Sequence, residues 1–132
     1  MWISDISPMV FTRVKMEVGK ALRPKYPDLF FTTSDRVEAE PKFPTVYIHE
    51  MPGSETGQDL EGTEINAIIC SFQIEVTDTY LNNRATEVMS EVVKCMKKMR
   101  FSVASIPEFQ NQKDTVRQVA RFRRTIGQGD VL

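Results

Sequence analysis

Histidine occurs once, at position 49, and that single imidazole limits the reactions expected of this chain. Nucleophilic catalysis needs an activated Ser, Cys or Thr beside a base, and His is the usual base. His49 lies inside TVYIHE, where Val46 and Ile48 alternate with Tyr47 and His49. That is the period of a half-buried strand, whereas catalytic groups are more often displayed at loops. His49 is therefore expected to be structural or simply exposed. Carboxylates come next: Glu55, Asp59, Glu61 and Glu64 crowd one stretch, and a pair of them could act as acid and base. A catalytic acid needs burial to raise its pKa, which a Gly-rich, solvated stretch does not supply. The order of these acids also lacks the alternating ligands and distal bidentate Glu of an EF-hand. The same segment, GSETGQDLEG, contains neither a Walker lysine nor GxGxxG. Cys70 and Cys95 have no CxxC spacing and no nearby His, so they read as buried thiols. The expectation is a chain that is not an enzyme, with no cofactor and no metal site.

The strongest polar feature is a cluster of guanidiniums, Arg117, Arg121, Arg123 and Arg124, within eight residues. On a strand, Arg117, Arg121 and Arg123 fall on one face. They could follow phosphates there, as basic sheet faces do in some nucleic-acid binders. The formal net charge of −1 offers no global attraction to a polyanion, and Phe122 falls on the opposite face, so no stacking platform accompanies the charge. Guanidinium forks suit bidentate carboxylate pairing, whether with Glu75 on a neighbouring strand or with acids of another subunit. The candidate subunit or tube interface is thus Glu55, Asp59, Glu61 and Glu64 on one side and Arg117, Arg121 and Arg123 on the other. DNA contact stays as a rival.

These side chains need elements to position them. A length of 132 residues fits one domain, 1–132, with one core, and 41% hydrophobic with 27% charged residues is ordinary globular composition. No stretch approaches the ~20 apolar residues that cross a bilayer, and MWISDISPMVF lacks a secretory pattern, so no membrane role is expected and synthesis belongs in a cytoplasm. A first helix is predicted from near Ser7, with Pro8 in its first turn and Phe11, Val14, Val18 and Leu22 as its stripe; Pro24 and Pro27 end it. A short strand is predicted at 29–33, another from Thr45, and an extended polar loop at 51–63, because MPGSETGQDLEG is rich in breakers.

The clearest strand is EINAIICSFQIEVTDT, with Ile68, Cys70, Phe72, Ile74 and Val76 facing one way and Ile69, Ser71, Gln73 and Glu75 the other. A second helix is predicted over 84–99, capped by Asn82 or Asn83, with Ala85, Val88, Met89, Val92, Met96 and Met99 inward. Its basic end, Lys94, Lys97, Lys98 and Arg100, suits the negative helix terminus, and its methionines read as core filler. Strands at 101–106, closed by Pro107, and at 115–126 complete the chain. The fold class is α+β: one mostly antiparallel mixed sheet of four to five strands, with two main helices on one face.

In this order of features the sequence resembles the tail terminator, or tail completion, proteins of long, flexible-tailed phages. The resemblance is carried by the Lys25-Tyr26-Pro27 turn, Phe43-Pro44-Thr45-Val46-Tyr47-Ile48, a polar loop, Phe72-Gln73-Ile74-Glu75-Val76, the Asn82-Asn83 helix start, the Met99-Arg100-Phe101 exit and Arg117…Arg121-Phe122. It spans nearly the whole chain and contains no catalytic signature. It implies a mixed sheet flanked by helices, assembled as a homohexameric ring in the virion. That ring caps the major tail tube protein, stops polymerisation and docks the head connector, with DNA contact at most through its lumen. Another neck component, a head-completion or connector adaptor protein, shares much of this description. A nucleic-acid-binding module using the arginine strand is the alternative of another class.

Overall fold

A computed structural model describes every residue except 1–4, 34–41, 59–64, 112–113 and 128, with backbone alone at 53–58 and 65–66. Its elements run α1 (Ile6–Leu22), β1 (Phe30–Thr32), β2 (Thr45–Gln58), β3 (Ile65–Thr79), α2 (Ala85–Lys98), β4 (Ser102–Phe109) and β5 (Thr115–Gly127). The strands form one open sheet in the order β1-β2-β3-β5-β4. β1 runs parallel to β2, and the other neighbouring pairs are antiparallel. This is the α+β, mixed-sheet architecture that the sequence predicts, with five strands.

Alternation along the two central strands decides which side of the sheet is covered. Ile68, Cys70, Phe72, Ile74 and Val76 of β3 and Val116, Ala120, Phe122 and Ile126 of β5 are buried. Ile6, Val10, Val14, Val18 and Leu22 of α1 and Val88, Met89, Val92, Cys95 and Met96 of α2 join them in one cluster, so both helices lie on the same face. Phe72 meets Phe101 edge to face at 5.6 Å. Burying each such large apolar side chain stabilises the fold by about 1.5–3 kcal/mol. Neither helix covers the opposite face.

Both ends of α2 are completed by charged side chains of the sheet. At its start, Asp78, the last inward-facing residue of β3, is fully buried. Its carboxylate accepts from the Arg84 backbone N–H at 2.7 Å, from the Thr79 N–H at 2.8 Å and from the Arg84 guanidinium at 2.8 Å to each oxygen. Burial pushes the Asp78 carboxyl up, but the hydrogen bonds from Arg84 and Thr79 and the Arg84 charge outweigh it and hold the group below its ordinary value. At the other end, Arg124 Nη1 donates to the Met99 carbonyl at 2.8 Å, placing a cation at the negative helix terminus.

Four details depart from the sequence reading. α1 begins one residue early, at Ile6 with Asp5 in the cap position, because Ile6 is itself buried and draws the helix start inward. Asn82 and Asn83 do not cap α2; Asp78 supplies that oxygen from six residues upstream, and Asn83 takes a positive φ of 40°. The segment expected to loop out from Met51 remains strand through Gln58, paired with β3. A register shift between Met51 and Ser54 takes up the Pro52-Gly53 pair, as β-bulges do. β4 likewise runs through Pro107 to Phe109; proline is tolerated there because β4 lies at the edge of the sheet, where an N–H need not be paired. The stretch 59–63 of the expected loop lies outside the described residues.

Candidate functional site

The uncovered face is built from the odd-numbered residues of β2, β3 and β5. Cross-strand pairing sets them in rows. His49, Gln73, Arg121 and Ser105 form one row, and Tyr47, Glu75, Val119 and Glu108 form the next. Arg123 lies between Ser71 and Ser102 in a third. All three predicted arginines therefore share this face, but their circumstances differ. Arg117 Nη1 pairs with Glu75 Oε1 at 2.8 Å, and its Nη2 donates to Gln110 Oε1 at 2.6 Å. Glu75 is 7% exposed, so Arg117 is committed within the chain as the neutraliser of a nearly buried carboxylate. Arg121 Nε donates to Gln73 Oε1 at 3.0 Å. Arg123 is exposed and has no hydrogen-bond or ion-pair partner for its side chain among the described residues.

Around Arg121 the face is indented. A hollow of ≈ 410 Å³ is lined by Gln73, Ser105, Glu108, Gln110, Val119 and Arg121. Register shifts on β4 between Val103 and Ser105 and between Ser105 and Glu108 open it; such irregularities bend a strand and re-aim its side chains. Val119, buried yet outside the helix-side cluster, lies on this face. The hollow is a polar seat with a guanidinium and a carboxylate in its wall, suited to a partner's side chain or backbone. Ser105, Glu108 and Gln110 were not predicted as part of a site, and only the strand irregularity brings them beside Arg121.

The acidic half of the predicted interface is less fully placed. Glu55 is on β2, its backbone opposite Ile68 of β3; Asp59, Glu61 and Glu64 lie outside the described residues. His49 is exposed and stacks on Tyr47 with ring centroids 5.9 Å apart. The thiols of Cys70 and Cys95 are free and buried. Burial pushes Cys70 up to about 11, with the Glu50 charge adding to it. Burial pushes Cys95 up to about 12, helped by the neighbouring Glu17 carboxylate. Thiols so shifted are poor nucleophiles at neutral pH. Among the described residues no group of three or more His, Cys, Asp or Glu is gathered to hold a metal ion, and no helix is long and apolar enough to cross a membrane. Set against known proteins, the chain matches no family model, and no curated protein matches it significantly.

Proposed function

We propose that this chain is a ring-forming tail terminator of a long-tailed phage: a structural subunit that caps the tail tube, stops its growth and offers a surface to the head connector. The reading draws on the sequence resemblance along nearly the whole chain. The observation that carries it is the uncovered sheet face, where Arg121 and Arg123 project from a rigid strand whose other side is locked into the core. A sheet face that neither helix covers and that presents arginines suits contact with other protein subunits, because arginine is enriched at such interfaces. Arg121 and Arg123 are the residues to meet carboxylates of a neighbour, with the acidic stretch Glu55 to Glu64 as their counterpart.

Electron microscopy of the protein mixed with tail tubes tests this. Density at one tube end only, with tubes of uniform length, is the expected result. Arg121→Glu with Arg123→Glu should weaken capping, and unchanged oligomers together with unchanged tail lengths would sink the proposal. A nucleic-acid reading uses the same face, where the stacked Tyr47 and His49 stand two strands away from Arg121, across β3. The exposed Glu108 carboxylate in the adjoining row opposes phosphate there. Salt-dependent DNA binding that the same charge reversal abolishes, without any tube capping, would favour that alternative.

A further inference from the structure

The turn from β3 into α2 carries Leu81, 94% exposed, and Tyr80, 65% exposed. An exposed leucine by itself means little. This one stands on a turn held from several directions. Asp78 ties its two ends through the Thr79 and Arg84 N–H groups. The Tyr80 N–H donates to the Asp114 carbonyl at 3.2 Å, and the Asn83 N–H donates to the Thr79 carbonyl at 3.0 Å. The Asn82 N–H is 3.4 Å from Thr79 Oγ1. Backbone fixed this way presents its apolar side chains without a large ordering cost on binding.

A complementary feature lies on the outer side of α1. There an open groove of ≈ 540 Å³ is lined by Met16, Gly19 and Pro24 and flanked by Lys15, Lys20 and Arg23. Gly19 lets the Arg23 side chain lie close against the helix at the floor of this groove: a Cβ there would stand 3.3 Å from Arg23 Nε, tighter than ordinary contact. Met16 is 59% exposed, and the lysine stems add hydrocarbon beneath charged tips. None of Lys15, Lys20 and Arg23 has an ion-pair partner among the described residues. Beside the apolar turn, by contrast, lies the exposed Asp114.

We propose that the Tyr80-Leu81 turn of one copy seats in the α1 groove of a second copy, with Leu81 as the anchor and Asp114 facing the basic rim. The occupant is another copy because one chain carries both halves of the contact, an apolar knob beside an acid and an apolar groove beside bases. Two different patches in one contact make it heterologous, the type that closes rings when the rotation permits. The inference rests on the subunit reading only in requiring that copies meet, and it holds whether or not a tube is present.

Mixed cross-linking of the full chain tests it. Copies carrying Leu81→Cys are oxidised together with copies carrying Met16→Cys, with Ser90→Cys on the exposed side of α2 as control; the two buried native thiols should stay silent. The expected result is mixed Leu81→Cys/Met16→Cys dimers in clear excess over either self-pair and over the control, and association of Leu81→Asp weakened roughly tenfold or more. Equal yields for all pairs, with or without tubes, would overturn the contact. Tubes capped equally well by Leu81→Asp and wild type would overturn it too while leaving the capping role standing. Mixed dimers without capping would keep the contact and remove the tail reading.

Discussion

The two faces of the sheet are made by the same strands, yet they answer to different physics. Along β3 and β5 most alternate residues enter the helix-covered cluster, where Phe72, Ile74, Ala120 and Phe122 are 0% exposed. The residues between them, Gln73, Glu75, Arg121 and Arg123, face away from both helices. Packing governs the first set, where a lost methylene is felt at once. Pairing and solvation govern the second, where exchange costs little unless a carboxylate is left alone. The chain thus keeps its packed core and its charged polar rows on opposite sides of one layer, one residue apart.

The separation can be broken most forcefully from the covered side. Phe72→Ala, or Phe122→Ala, is expected to cost about 3–5 kcal/mol of stability, seen as a large drop in the denaturant midpoint; a loss under about 1 kcal/mol would mean that this side is not the tightly packed one. Next comes the inward end of β3. Asp78→Asn leaves the Arg84 guanidinium without its carboxylate and weakens the start of α2, for an expected loss of about 3 kcal/mol. Because the folded Asp78 carboxyl is held below its unfolded value, its contribution is full above about pH 4 and disappears as pH falls through the lowered folded value. Acid titration of stability should therefore show a steeper decline in the wild type than in Asp78→Asn.

On the bare side the expected effects shrink. Arg117→Ala takes the ion pair from the nearly buried Glu75 carboxylate and leaves it only the Gln73 amide, for an expected loss of about 1–2 kcal/mol; thermal melts of the variant beside the wild type would check it. Arg123→Glu should change stability by less than about 0.5 kcal/mol while altering assembly. A melting point that moves as far for Arg123→Glu as for Phe72→Ala would erase the distinction between the two faces.

Much of the architecture was legible because periodicity reports burial directly. The 3.6-residue stripes of α1 and α2 and the two-residue alternation of β3 and β5 required no knowledge of partners, and they also placed the three arginines on a common face. Local breaker signals misled where a neighbour outweighed them. Pro52-Gly53 and Pro107 read as ends of strands, yet β3 extends β2 through a bulge, and an edge position spares Pro107 its missing N–H. The Asp78 cap was hidden because an oxygen six residues upstream is not a local capping pattern; only the fold of the turn brings it to Arg84. The hollow at Arg121 was hidden for a similar reason, since it depends on how β4 slips against β5.

The slipped edge of β4 also bears on how the chain avoids pairing with foreign strands. A straight, regular outer strand would offer a row of amides and carbonyls to any other sheet, and crowded copies would fuse edge to edge into insoluble fibrils. Pro107 withholds one donor and the two irregularities throw the remaining ones out of line, which blunts that template. At high concentration the chain is thereby guarded along this edge against sheet-to-sheet fusion.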